Sequence, residues 1–135
     1  MCLWMHSWGI PLMGEICSWN IRGLYWPNKQ EDLKIFLQLW QIRTISLLET
    51  KIKIHNFGKV VDQLFRGWNM VHNFVPNNHG RILVAWKPQW YTLRQISQSD
   101  QHLHYLVKSH TTMQHFYLMF IYRDSHESPR QGLWA

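Results

Sequence analysis

Apolar and polar residues alternate over residues 14–19, Gly-Glu-Ile-Cys-Ser-Trp, and the alternation stops at Asn20 and Gly23. A period of two ended by turn formers predicts a strand. The period then lengthens. Leu33, Phe36, Leu37 and Trp40 fall at i, i+3, i+4 and i+7, the stripe of a helix that faces a core. Asn28, with Glu31 three residues on, reads as the N-cap of a capping box. Residues 42–48 are rich in apolar and β-branched residues (Ile42, Thr44, Ile45, Leu47, Leu48) and close on Glu49, the pattern of a buried strand with a carboxylate at its end. A second helix is expected between Asn56 and Arg66, with Phe57, Val60, Val61, Leu64 and Phe65 as its stripe and Gly67 as its stop. Further strands are expected near residues 69–75, 81–86, 90–96, 103–108 and 115–122, separated by turn signals at 76–80, at Lys87-Pro88 and at 97–100. Strand, helix, strand, helix and then hairpin-linked strands predict an α/β fold, a mixed sheet with helices packed on one face.

Composition narrows this picture. A chain of 135 residues, 46% hydrophobic and 16% charged, is long and apolar enough for one packed domain and too apolar for disorder. Lys and Arg number 14 against 8 acidic residues, giving a net charge of +6, a balance that suits a polyanion such as nucleic acid. The basic residues, among them Lys51, Lys53, Lys59, Arg66, Arg81, Lys87 and Arg94, are scattered, so charge permits such a partner without demonstrating it. Cys2 and Cys17 form no CxxC pair; neither a disulfide framework nor a cysteine zinc site is expected, and a reducing, intracellular compartment fits best. The opening residues lack a basic n-region, and their apolar stretch is broken by His6, Ser7 and Pro11, a poor match to a signal peptide. The longest apolar run, residues 116–122, is far short of the ~20 residues that span a bilayer, so no membrane partner is expected.

Candidate chemistry begins with Glu49 at the carboxyl end of a predicted strand and Asn20 just past the end of another. Both can meet in one crevice at the strand ends. A carboxylate and an amide oxygen are ligands for a hard cation such as Mg²⁺, which keeps most of its coordination for water and phosphate. Taken singly, a Glu after an apolar run is commonly a solvated strand end, and an Asn after a strand is commonly a turn former.

Several spaced motifs agree in order: Ser18-Trp-Asn-Ile-Arg-Gly-Leu24, Pro27-Asn-Lys-Gln30, Leu47-Leu-Glu-Thr-Lys51, Gly67-Trp68, Gly80-Arg-Ile82 with Trp86, the apolar run at 116–122, and Arg130 with Leu133-Trp134. Together they resemble the opening half of the endonuclease domain of plant LINE-type (non-LTR) retrotransposons, within the endonuclease/exonuclease/phosphatase superfamily, similar in fold to DNase I. The resemblance spans residues 14–135 and sets residues 1–13 apart as a non-conforming N-terminal segment. It implies one half of a DNase I-like two-sheet α/β sandwich, and a Mg²⁺-dependent hydrolysis of DNA phosphodiesters. By the same resemblance Asn20 helps place the metal and the scissile phosphate, Glu49 binds the metal, and the Tyr122 hydroxyl lies near the phosphate. Met119, Arg123 and Ser125 depart from the family pattern around Tyr122.

The family's water-positioning Gly-Asp-x-Asn motif and its closing Ser-Asp-His motif have no counterpart in the 135 residues. Asp32, Asp62, Asp100 and Asp124 are the only aspartates, and none stands in either context. A truncated relative, inactive by itself and binding Mg²⁺ weakly, is therefore expected, with an uncovered sheet face driving self-association. The alternatives are a non-catalytic, basic nucleic-acid-binding remnant, or a non-functional transposon-derived polypeptide. Of the nine histidines, His102 and His104 would share a strand face near His110 and His115; without an acidic or Cys partner at ligand spacing they read as surface strand residues. The nine tryptophans offer stacking platforms for bases, but Trp40, Trp86 and Trp90 read as core.

Overall fold

The alternating run becomes a strand because one set of its side chains has a helix layer to bury against and the other has a second sheet. In the computed structural model, which describes residues 2–4, 15–73, 82–99 and 101–121, the elements run β1 (Cys2–Trp4), β2 (Glu15–Asn20), α1 (Pro27–Leu39), β3 (Ile42–Leu48), α2 (Ile54–Leu64), β4 (Asn69–His72), β5 (Ile82–Trp86), β6 (Tyr91–Gln98), β7 (His102–Ser109) and β8 (His115–Ile121). A five-stranded sheet has the order β1-β2-β3-β5-β4, and β6-β7-β8 form a separate three-stranded sheet. β2 and β3 are parallel, joined through α1, whereas β1–β2, β3–β5 and β4–β5 are antiparallel. The fold is α/β, with both helices against one face of the larger sheet.

That helix face holds one core. Cys17, Ile45, Leu47, Leu83 and Ala85 of the sheet pack against Leu33 and Leu37 of α1 and Val60 and Leu64 of α2. The helical periods of the sequence thus select the buried residues, but two details differ. Helix α1 starts at Pro27 with Trp26 in the capping position and no side-chain cap, so Asn28 lies inside the first turn. Proline has no N–H to satisfy and its ring presets φ for a helix, which lets the helix begin there without a capping box. Trp40, the last member of the predicted stripe, sits one residue past the helix end and is 50% exposed, because leaving helical geometry turns its side chain off the buried face. Helix α2 ends at Leu64, and Gly67, at φ +84°, makes the following turn.

The expected continuation of the sheet through all the later strands is corrected by the structure. The turn after β5 leads the chain away: the Lys87 N–H donates to the Arg43 carbonyl (2.9 Å), and the Trp90 N–H donates to the Lys87 carbonyl (3.1 Å). The chain then folds its own second sheet over the open face of the first. Ile16, Ile82, Val84 and Trp86 pack there against Tyr91, Leu103, Tyr105, Val107, Leu118 and Phe120. Alternation along β7 places Leu103, Tyr105 and Val107 inward, as period-two geometry requires. The expected bare apolar face is therefore covered by this chain's own β6–β8, which removes the reason for self-association through it.

This inter-sheet core is less purely apolar than the helix-side one. By the pairing of β3 with β2, Thr44 lies beside Ile16 and Ser46 beside Ser18, on the face turned to the second sheet. The hydroxyls of Thr44, Ser46 and Tyr105 are buried without a hydrogen-bond partner. Burial pushes the Tyr105 phenol up to about 12, because the charged phenolate is the form that desolvation penalises. Asn73 ties the layers together: its side chain accepts from the Ile82 N–H (2.9 Å) and donates to the Ser99 carbonyl (3.0 Å). Cys17 is disulfide-bonded, against the expectation that no disulfide framework is present. Among the described residues, no helix is long and apolar enough to cross a membrane.

Candidate metal centre at the ends of two parallel strands

Asn20 closes β2 and Glu49 directly follows β3. In the parallel register Asn20 pairs with Leu48, so the two residues stand at neighbouring strand ends, where strand spacing is about 4.8 Å. The loop leaving β2 is laced to the exit of β3 by backbone bonds from Ile21 N–H to the Leu48 carbonyl (3.1 Å), Gly23 N–H to the Glu49 carbonyl (3.4 Å) and Leu24 N–H to the Thr50 carbonyl (3.0 Å). Ile21, Leu24 and Thr50 are buried. The lacing fixes both strand exits as one unit.

Two backbone features show how tightly this corner is built. Gly23 has φ +77°, and a β-carbon there would stand 3.0 Å from Cδ1 of Trp26, so only glycine fits the turn without strain. Glu49 and Lys51 have φ of 54° and 55°, left-handed values that cost a non-glycine residue about 1–2 kcal/mol each. Such strain is kept where surrounding structure over-determines the backbone, commonly at functional sites. No sequence period reports it.

The Glu49 carboxylate accepts a hydrogen bond and ion pair from Nε of Arg22 at 2.9 Å, with the Glu49 side chain 14% exposed and the Arg22 side chain 66% exposed. A pair this open contributes at most about 1 kcal/mol, but it orients the carboxylate at the mouth of the site. Asn20 is exposed. Tyr25 and Trp26, 47% and 55% exposed, project from the same loop with ring centroids 5.0 Å apart. Sequence reasoning named Asn20 and Glu49; it gave no role to Arg22, Tyr25 or Trp26. The Arg22 link joins residues 27 apart in the chain, beyond the reach of any local pattern.

No protein-family model matches this chain, and no curated protein matches it. Glu49 supplies one carboxylate and Asn20 one amide, and among the described residues no three His, Cys, Asp or Glu residues group as a metal cage. Mg²⁺ commonly binds through one or two carboxylates, substrate phosphates and retained water. This donor set does not fit a dedicated all-protein cage; a Mg²⁺ ion here would need phosphate and water to complete its coordination, with Glu49 and Asn20 as the residues that would hold it. Any such ion competes with Arg22 for the Glu49 carboxylate.

Tyr122 lies outside the described residues, as do Asp100 and Asp124. Two of the histidines make hydrogen bonds in and beside the second sheet: His110 shares them with Thr92 Oγ1 (2.6 Å) and the Gln89 carbonyl (3.1 Å), and His102 with Ser97 Oγ (3.2 Å) and Ser99 Oγ (2.7 Å). His104 lies beside the ring of Tyr117 at 5.9 Å.

Proposed function

We propose that the Asn20–Glu49 end of the sheet is the metal-binding side of a DNA phosphodiesterase site of the endonuclease/exonuclease/phosphatase kind, in a chain related to LINE-type retrotransposon endonucleases. The observation that carries the proposal is the meeting of two separate motifs at one point. Ser18-Trp-Asn-Ile-Arg-Gly-Leu24 ends β2, Leu47-Leu-Glu-Thr-Lys51 ends β3, and the Arg22–Glu49 bond joins them. The layering of two facing sheets, with helices outside the larger one, supports a DNase I-like arrangement.

In this reading Glu49 would hold a Mg²⁺ ion and Asn20 would orient the phosphate beside it, the ion supplying charge stabilisation for phosphoryl oxygens when bound. Arg22 offers a guanidinium that can turn from Glu49 to a phosphate oxygen. The exposed Tyr25–Trp26 pair gives an unpaired base a face to stack on, and the +6 charge favours a polyanion. What these residues do not supply is a group that activates water. Neither the Gly-Asp-x-Asn nor the Ser-Asp-His motif occurs in the 135 residues, and groups acting as a unit can together be worth about 10⁶-fold in rate.

The chain by itself should therefore leave supercoiled plasmid DNA intact in Mg²⁺. Nicking that vanishes in EDTA and in Glu49→Ala would uphold the site and refute the need for the further motifs. Nicking that persists in both would refute the proposed metal role of Glu49.

A further inference from the structure

At the other end of the same sheet lies a second recess with opposite chemistry. It is an open groove of about 750 Å³ between the C-terminal halves of both helices and the start of β3, lined by Lys34, Arg43, Gln63, Trp68, Lys87 and Trp90 among others. No Asp or Glu is among its lining residues. Arg43 is the second residue of β3 and Glu49, six positions later, follows the strand, so along a strand the two lie about 20 Å apart at ~3.3 Å per residue. The groove is distinct from the candidate metal centre.

Its cations and indoles are arranged together. The Arg43 guanidinium carbon lies over the Trp90 ring at 3.5 Å, and Lys87 Nζ lies over the Trp68 ring at 5.3 Å. The Lys87 N–H to Arg43 carbonyl bond holds these two cation–indole pairs side by side at the β3–β5 edge. Both indoles are only partly buried. Lys34, from α1, adds a third positive charge, and Gln38, Gln41 and Gln63 complete the wall with amides.

We propose that this groove binds a nucleotide through its base and its sugar phosphate, either as a free nucleotide or as one unit of a single-stranded nucleic acid. The lysines and Arg43 meet the phosphate, the base stacks on the indoles or on the guanidinium plane over Trp90, and the glutamines offer donors and acceptors to the base edge. A groove that took inorganic anions alone would need the cations without the aromatic faces, and an apolar ligand would gain nothing from three cations. The volume lies within the ~300–1,000 Å³ typical of ligand sites. The inference does not depend on the metal centre, and EDTA keeps the two apart in the test.

Binding of adenosine monophosphate, a short single-stranded oligothymidylate and inorganic phosphate to the full chain is measured in EDTA by calorimetry, with the indole N–H resonances of Trp68 and Trp90 followed by NMR. The expected result is binding of the nucleotide, the oligonucleotide or both, with shifts at those two indoles; binding of the oligonucleotide alone identifies the strand as the source. The double variant Lys34→Glu, Lys87→Glu should lose at least tenfold in affinity, and the oligonucleotide's salt slope should fall by about 0.7 for every phosphate no longer neutralised. Lys34→Glu alone, on the surface of α1, should lose part of this and covers the case in which the double variant fails to fold. Lys108→Glu, in β7 of the other sheet, brings the same charge change and should leave binding unaltered. Equal loss in Lys108→Glu, binding of inorganic phosphate as tight as the nucleotide with no indole shift, or no binding of any probe at low salt would overturn the proposal.

Discussion

One strand, β3, ends in two unlike surroundings. At its exit, Glu49 stands with Asn20 and Arg22 in a corner whose backbone is strained and laced by main-chain hydrogen bonds. At its entry, Arg43 lies over Trp90 in a basic, aromatic groove free of carboxylates. The exit holds a carboxylate that can take a hard cation, and the entry holds cations that can take an anion. Strand direction underlies the difference. The parallel β2–α1–β3 unit brings two carboxyl-terminal strand ends together at one edge, the usual place for a site in such sheets, whereas the opposite edge is built from helix ends and the β5–β6 turn.

The sharpest way to break the comparison is to damage the strand both ends share. Ile45 is fully buried in the helix-side core, and Ile45→Ala should destabilise the chain by about 2–5 kcal/mol. Denaturant unfolding reads this, and metal and nucleotide binding should weaken together. Loss at one end alone would mean that the ends are not coupled through β3.

A change between the sheets should do the reverse. Tyr105→Phe removes a buried hydroxyl that has no partner, and should leave stability unchanged or raise it by up to about 1 kcal/mol, with both sites untouched. The same residue sets an alkaline limit. Its folded phenol is raised to about 12 from an ordinary value near 10, so the unfolded chain releases this proton first. Stability is intact below pH ~10 and falls between ~10 and ~12; Tyr105→Phe should flatten that fall. An unchanged alkaline slope in the variant would refute the assignment.

The smallest expected effect touches the exit alone. Arg22→Gln removes the cation that competes for Glu49, and should tighten Mn²⁺ binding a few-fold, in keeping with an exposed pair worth ~1 kcal/mol or less. Nucleotide binding at the groove should stay the same. Weaker Mn²⁺ binding would mean that Arg22 positions the carboxylate more than it blocks it.

Much of this is legible in the residues alone, and the failures have physical causes. The bounds of β3 follow from its Ile and Leu residues, set between polar ones from Ile42 to Leu48, and the helix stripes name Leu33, Leu37, Val60 and Leu64 as core. Trp40 escapes the pattern because a stripe does not say where a helix ends, and Pro27 makes the Asn28 cap unnecessary. Hairpin-linked strands carry no mark of whether they extend a sheet or fold across it, so the second sheet emerges only from the bonding of Lys87 to Arg43. At the candidate site, residue types expose Asn20 and Glu49, but the left-handed backbone at Glu49 and its bond to Arg22 depend on neighbours distant in sequence. The groove is hidden for the same reason: its cations and indoles come from α1, β3 and two separate turns.

The central claim is that Glu49 and Asn20 hold a divalent cation at the strand ends. Mn²⁺ titrated into the isotope-labelled chain without nucleotide, and followed by paramagnetic broadening of amide resonances, gives the test. Broadening should start at Asn20, Ile21, Glu49 and Thr50, leave Lys87 and Trp90 sharp, and disappear in EDTA and in Glu49→Gln. Broadening centred elsewhere, or unchanged in Glu49→Gln, would contradict it.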